Sequence, residues 1–535
     1  MSASDAPALR LEGASAAGDG AGVRERLRAL TPASADVWAL VGLVALAAAI
    51  RIVTIDNQSF WMDESLTAYE ASLPFGAMLN TVAHVETTPP LFFVLTWLWA
   101  KVFGTSEAAL RSISTIAGIT LVPLAYLSAR ELFSRRAGVI AAALVALNPF
   151  LVWYSQEARA YMLLAALTAA GFLWFVRSLA LPSRRRLGWW ALFSALALTT
   201  HFFAGFIVAP EAVWLLWRHR DRLVVAAVAA TAVVQLAMLP FVVTDTGHGA
   251  DWIIHVSRVH RVITAALELG VSILNRRGTT LEAMVGWVLL LGIVAALLVR
   301  SGDRRTRVGA VVAVSVAAFV ILAPIALGFL GQDYFLTRNV IAAFVPMAVV
   351  LGGAFAAPRA RVVGIVATVV LMVLFAFSGY IVQTRAYLER PQWRSVAQTL
   401  GATPVPRAVL VAGGSTANPL KIYMPGVKWV QPQRRHVRIQ EIDIVGAFKP
   451  MSLQPSGQTL FGAAPRVAKG RPLPVVEGPP GTRLVLRMRV HNWVVARFVL
   501  ERPRRLDVLQ LLSMAHRYFS HTPISMLVFM QRPRR

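Results

Sequence analysis

The 535-residue sequence contains no cysteine, which excludes disulfide staples, thiolate metal sites and a cysteine nucleophile. Lysine is scarce as well: Lys101, Lys421, Lys428, Lys449 and Lys469 are the whole set, so almost all positive charge is arginine. Charged residues of both signs make up only 15% of the chain. No phosphate-binding glycine loop, Rossmann glycine pattern, His-Glu-x-x-His helix or Ser-His-Asp arrangement is present, which excludes the handling of a soluble nucleotide by those devices. No internal repeat is visible. No small-residue cleavage site follows the first apolar run near Val37, so no signal peptide is expected.

What the chain does have is apolar residues: 56% are hydrophobic and the mean hydropathy is +0.59, too high for a soluble globular protein. Residues 1–36, rich in Ala, Gly and Ser, read as a disordered cytoplasmic tail. Apolar runs of roughly membrane-spanning length then follow at about 37–54, 89–103, 107–131, 137–153, 160–180, 188–200, 204–217, 222–243, 281–299, 308–330, 338–356 and 362–383. These predict a polytopic all-α membrane protein with about 11 to 13 transmembrane helices.

Arginines in the short loops set the expected orientation: Arg135-Arg136, Arg184 to Arg186, Arg218 to Arg222, Arg300 to Arg307, and Arg359 with Arg361 all read as cytoplasmic. The loops at 54–88, 154–159, 201–203, 244–280 and 331–337 then fall on the outer face of the cell membrane. This orientation demands an odd number of crossings over 89–131, where two runs are visible. Pro90 and the Gly104-Thr105-Ser106 break make 89–103 a partial or re-entrant element.

Residues 385–535 are polar and Pro-rich, with short β-branched runs such as Val409 to Val411 and Leu484 to Val490. They predict a soluble α/β or α+β domain on the outer face, following a transmembrane catalytic domain at 37–384. This last part holds 24 Lys and Arg against 6 Asp and Glu, a net +18 of the chain's +26. So basic an outer domain suits anionic headgroups, phosphate-bearing lipids or acidic envelope polymers, and nucleic acid is not an expected partner.

The candidate chemistry lies in the outer loops. Asp63 and Glu64 follow Phe60-Trp61-Met62, aromatics that hold the loop at the bilayer surface, where two adjacent acids gain nothing in solubility. The competing reading is that Asp63 only N-caps a short interfacial helix. His84 and Glu86 precede the double proline Pro89-Pro90. Glu157, Arg159 and Tyr161 stand where one run ends outside and the next begins; they suit a helix dipole and a snorkelling arginine, or a phosphate-bearing headgroup. His201, the only polar break between two runs, is a hairpin residue or a site residue. Arg338, at the outer mouth of a run, is an interfacial anchor or a phosphate contact. Asp63, Glu64 and Glu86 also leave a divalent cation open, though three carboxylates without a fixed scaffold specify none.

In order along the chain, five stretches resemble the C-type integral membrane glycosyltransferases, and within them the family 39 protein O-mannosyltransferases and their bacterial relatives. They are Phe60-Trp61-Met62-Asp63-Glu64, Pro89-Pro90-Leu91-Phe92-Phe93, Phe103 to Arg111, Tyr154 to Tyr161, and Trp393-Arg394-Ser395-Val396-Ala397. The relatives often carry a basic residue or histidine directly before the double proline; here Thr88 stands there and the histidine is His84. The resemblance implies transfer of a sugar, mannose being commonest, from a polyprenyl-phosphate donor to a hydroxyl of a glycan, lipid or protein, with inversion. It also implies Asp63 as general base, with Glu64 beside it. Arg159 and Arg338 are the candidates to hold the donor phosphate. The alternatives from other classes are a transporter or flippase of lipid-linked glycans, and a ligase that moves a whole lipid-linked polysaccharide. Against a transporter, the polar groups gather at one interface and avoid the midplane.

Overall fold

The computed structural model describes residues 35–244, 253, 256–270, 290–299, 304–384, 390–411, 418–424, 427–429, 436–447, 481–491, 493–507, 509, 511 and 527–531. Of the expected tail at 1–36, residues 1–34 lie outside the described residues, as do most of the loop at 244–280 and the start of the run at 281–299, while Ala35 and Asp36 already belong to the first helix.

The chain is a multi-pass helical membrane protein that ends in a small mixed sheet. Seven described helices are long and apolar enough to cross a bilayer: Ala35–Ile52, Glu107–Leu132, Tyr161–Ala180, Arg222–Phe241, Thr306–Phe329, Thr337–Phe355 and Arg361–Thr384. Arg135–Leu147 and Pro149–Ser155 meet at 58° and, taken together, are long and apolar enough for a broken span or a re-entrant loop. The bend falls at Asn148, whose side chain caps the second piece by accepting from Leu151 N at 3.0 Å, and Pro149 takes the first helical position, where its missing N–H costs nothing. Tyr161–Ala180 and Thr337–Phe355 are central, with 67% and 78% of their apolar windows buried against 11% for Ala35–Ile52. The outer helices turn Val, Leu and Phe toward where lipid would lie.

Leu91–Phe103 settles the crossing parity. At 13 residues it is about 20 Å long, short of the ~30 Å hydrocarbon core. It stays with the loop before it: Trp97 Nε1 donates to Leu73 O at 2.8 Å, and the helix packs against Met62–Ser72. Residues 53–106 therefore stay on one face, and within 89–131 Glu107–Leu132 is the helix long enough to cross.

Contacts define the two faces without reference to a membrane. At one, Asp36 meets Tyr126 and Arg135, Arg177 pairs with Glu131, Arg186 donates to Arg177 O, and His219 bonds Leu179 O. At the other, Met62–Ser72, the 156–160 turn, the hairpin apex at His201, and Arg338 converge. One glycine is needed to bring them together. A Cβ on Gly118 would lie 2.1 Å from Ser155 Oγ, so only glycine lets Glu107–Leu132 approach the chain just before that turn.

The sheet comprises β1 (Arg407–Val411), β2 (Val427–Trp429), β3 (His436–Ala447), β4 (Thr482–Val490), β5 (Trp493–Asp507) and β6 (Leu527–Gln531), in the order β2-β6-β1-β3-β5-β4. Among the described strands, β1 and β3 pair in parallel and the other pairs are antiparallel. Helix Trp393–Leu400 covers one sheet face, its Trp393 ring 4.5 Å from that of Trp493. Inside the sheet, Arg407 and Arg497 share the carboxylates of Glu441 and Asp443, a four-charge network in which each charge has a partner. The sheet region is tied to the site face of the helices by Arg394–Glu107 at 2.8 Å and by the Tyr423 hydroxyl, which accepts from Phe60 N and donates to Glu107.

Candidate active site

Met62–Ser72 begins with Trp61 as N-cap, so Asp63 is the second residue of the helix rather than its cap. The carboxylate that accepts from the Trp61 N–H is Glu64, at 3.4 Å. The capping reading of Asp63 is therefore replaced: adjacent positions on a helix point about 100° apart, and the two acids face different surroundings.

Glu64 faces inward and is fully buried. Its oxygens accept from Arg111 Nε and Nη2, both at 2.7 Å, and from Ala158 N at 2.9 Å. Burial raises its pKa, but the charges of Arg111 and Arg390 outweigh that and hold it below the ordinary carboxylate value. Arg111 also donates to the carbonyls of Ile55, Gln58 and Ser59, so one ion pair fixes the entry of the loop and the 156–160 turn together.

Arg159, expected as a phosphate contact, is closed in the same way. Its Nη1 and Nη2 donate to Glu86 at 2.7 and 2.6 Å, with Thr67 Oγ1 at 3.3 Å and the Phe93 ring beneath. Glu157 receives Arg390 Nη2 at 2.9 Å; burial pushes its carboxyl above the usual value, with Arg390 opposing. His84 is not brought into the cluster: it is exposed, and its Nδ1 bonds Asn80 O of its own helix at 2.8 Å. His201 caps the short turn Phe202–Ala204 through Nδ1, and its ring lies 5.7 Å from that of Tyr161.

Asp63 and Arg338 differ from these pairs. Arg338 Nη1 stands 3.6 Å from Asp63 Oδ2, too far for a hydrogen bond, and the two side chains are 13% and 16% exposed. Arg338 Nε has no hydrogen-bond partner among the described residues, and the guanidinium lies over the Tyr161 ring at 5.4 Å. Among the groups near enough to act electrostatically on Arg338 are Tyr161, Asp63, Tyr154, Glu157, Glu268 and His201. A carboxylate and a guanidinium thus face each other across a gap, with the guanidinium Nε left unpaired among the described residues.

Arg111, Arg390, Glu70 and Glu268 were not singled out from the sequence as site residues. An arginine inside an apolar run is the signal that marks Arg111, since a buried charge requires a partner. Glu70 is buried on the helix of Asp63 with neither oxygen hydrogen-bonded among the described residues. Glu268, also buried, bonds Thr337 beside Arg338. Glu64 and Glu86 each spend both oxygens on an arginine, and no cluster of three metal-ligating side chains occurs among the described residues.

Residues 87–244 match the family model described as dolichyl-phosphate-mannose-protein mannosyltransferase, well under half of the chain. No curated protein matches the chain. Among solved structures, ArnT from Cupriavidus metallidurans bound to undecaprenyl phosphate is similar over 87% of this chain and 98% of that one, at 13% identity and a TM-score of 0.47. The oligosaccharyltransferase AglB from Archaeoglobus fulgidus, in complex with an inhibitory peptide and a dolichol-phosphate, is similar over 68% and 57%, at 14% identity and 0.42. The protein O-mannosyltransferase Pmt1-Pmt2 complex of S. cerevisiae is similar over 41% and 34%, at 16% identity and 0.31. On a multi-pass helical fold, residues 87–244 thus resemble the C-type integral membrane glycosyltransferases. Within that class, the family that residues 87–244 resemble is the dolichyl-phosphate-mannose-protein mannosyltransferases.

Proposed function

We propose that the chain transfers a sugar from a polyprenyl-phosphate donor to an acceptor hydroxyl on a cell-envelope glycan, lipid or protein, at the outer face of the cell membrane. The observation that carries this reading is the loose Asp63–Arg338 pair at 3.6 Å, partly open where its neighbours are closed. When the donor enters, its phosphate becomes the partner of Arg338, and Asp63 is released to the acceptor. Asp63 takes the hydroxyl proton as the acceptor oxygen bonds C1 from the face opposite the phosphate, and the C1–O bond to phosphate breaks. The phosphate leaves with the electron pair, and Arg338 stabilises that charge without supplying a proton. Attack from the opposite face inverts C1. Arg159, saturated by Glu86, positions the loop and does not bind the donor. Mannose is the favoured sugar because the matched family's description names it. No step in this scheme uses a metal.

The test is the purified chain in liposomes with a polyprenyl-phosphate mannose donor and an envelope-glycan acceptor. Release of polyprenyl phosphate that depends on the acceptor supports the reading. Movement of intact donor between leaflets with no release overturns it in favour of a flippase, and transfer of only whole polysaccharides in favour of a ligase. Mass spectrometry of envelope glycans from a deletion strain names sugar and acceptor together.

A further inference from the structure

Arg338 does not hold itself in place. Its Nε has no hydrogen-bond partner among the described residues, and Asp63 stands 3.6 Å away. The backbone leading to it is no firmer on its own: between Phe329, where one span ends, and Thr337, where the next begins, the chain forms neither helix nor strand. A cation that meets a reacting phosphate needs a fixed place, because a misplacement of about 1 Å costs about 10²-fold in rate.

The support comes from a helix some seventy residues earlier in the chain. Arg258–Leu269 carries Arg258, Arg261, Ala265 and Glu268 at steps of three, four and three residues, the spacing that puts side chains on one helical face. That face lies along 328–337. Arg258 Nε and Arg261 Nη2 donate to Asp333 Oδ2 at 3.0 and 2.6 Å, and Arg261 Nη1 to Oδ1 at 2.8 Å. The same two arginines take backbone carbonyls at either end of the irregular stretch, Arg258 Nη2 that of Gly328 and Arg261 Nη1 that of Phe335, both at 2.8 Å. Seven residues beyond Arg261, two turns and about 10 Å along the helix, Glu268 is buried and bonds the Thr337 side chain, next to Arg338. Burial pushes the Glu268 pKa up to about 8, with Thr337 and Arg338 opposing. Near neutral pH it therefore keeps its proton and does not close on Arg338 as Glu86 closes on Arg159. We propose that helix Arg258–Leu269 is a brace that sets the Arg338 guanidinium for a lipid-borne phosphate, with Asp333 and Glu268 as positioning residues. Asp333 anchors the stretch before Arg338 and Glu268 anchors its end, so Arg338 is held through its backbone and its donors stay available. The inference rests on the reading of Arg338 as the phosphate contact, and the experiment separates the two.

The purified full chain in detergent is titrated with undecaprenyl phosphate and, separately, with undecaprenol, which has the same tail and no phosphate. The ratio of the two affinities reads the phosphate contact, whereas general damage to the fold weakens both ligands alike. Arg338→Gln should reduce the ratio by about tenfold or more, the scale of a lost charged hydrogen bond. Glu268→Ala and Asp333→Asn should each reduce it by about fivefold, while Glu268→Gln, which copies the protonated acid, should stay within about twofold of wild type. In the Arg338→Gln background neither Glu268→Ala nor Asp333→Asn should reduce the ratio further, although each should lower the melting temperature as much as it does alone. If Asp333→Asn does not fold, Glu268→Ala carries the test, because it leaves the arginine contacts to Asp333 whole. A wild-type ratio in Arg338→Gln places the phosphate elsewhere, and both readings fall. A lost ratio in Arg338→Gln with wild-type ratios in Glu268→Ala and Asp333→Asn keeps Arg338 and overturns the brace. Equal weakening toward both ligands, or a loss in Glu268→Gln as large as in Glu268→Ala, overturns it as well.

Discussion

Asp63 and Glu64 are neighbours on one helix, yet they meet opposite conditions. Glu64 is buried in a two-pronged contact with Arg111 and holds the Ala158 N–H, while Asp63 faces Arg338 across 3.6 Å and remains partly open. The Arg159–Glu86 pair belongs with Glu64, short, enclosed and two-pronged, whereas Arg390–Glu157 is short and enclosed but leaves Glu157 Oε1 without a hydrogen-bond partner among the described residues. A buried pair with every proton and lone pair used is a fixture: breaking it leaves a charge stranded, and keeping it offers nothing to a substrate. A loose pair at a partly open position can exchange partners at small cost. Unused valence together with partial exposure is what singles out Asp63 and Arg338 as the proposed working pair.

The largest expected effect tests the working side. Asp63→Asn keeps the shape and removes the base, so transfer should fall by about 10²–10⁴-fold while insertion and thermal melting stay as in wild type. Wild-type turnover by this variant, measured as acceptor-dependent release of polyprenyl phosphate, removes Asp63 from the mechanism. On the scaffold side, Glu64→Gln leaves Arg111 buried without its counter-charge and should cost about 3–5 kcal/mol of stability, read as lower melting temperature and loss of folded protein. Adding Arg111→Met should recover part of that loss, because the stranded charge goes with it. If Glu64→Gln melts normally but is inactive, Glu64 belongs beside Asp63 and the comparison fails.

Arg338→Gln is next in size. It removes the cation proposed for the leaving phosphate, so kcat should fall by about 10²–10³-fold with melting little changed. Arg159→Gln should do the reverse, lowering stability first and activity only as folded protein is lost. Equal donor dependence in the two variants would return Arg159 to the phosphate site.

The multi-pass plan was legible because spanning a bilayer demands long apolar runs, and Val409 to Val411 and Leu484 to Val490 marked two real strands, β1 and β4. The parity of 89–131 was legible as a problem; its answer needed the contact of Trp97 with Leu73, 24 residues away. Candidate residues could be read by type and by face, but not by partner. Glu86 and Arg159 are 73 residues apart, Glu157 and Arg390 are 233 apart, and no local spacing reports either pairing. Arg338 and Arg159 look alike in sequence, each beside a tyrosine-bearing outer turn, and only packing distinguishes the open guanidinium from the closed one.

Glu70 offers the finest test, since it is neither kind of acid. It is buried one helical turn beyond Thr67, with no hydrogen bond to either oxygen among the described residues. Burial, then the charge of Glu86, push its pKa up to about 9, with Arg159 opposing. The folded state thus keeps a proton that the unfolded chain, with a pKa near the ordinary glutamate value of 4.5, gives up. Between roughly pH 4.5 and 9, the native state binds more protons than the unfolded one, so stability falls as pH rises through that window, by at most about 1.4 kcal/mol per unit. Glu70→Gln holds the neutral form at every pH and should flatten the slope of melting temperature between pH 6 and 9, with the gain over wild type growing toward alkaline pH. A variant that melts with the wild-type slope would mean that Glu70 ionises in place beside Glu86 and Arg159. That cluster would then be a shared three-charge network, and the division between closed and open acids would lose its middle case.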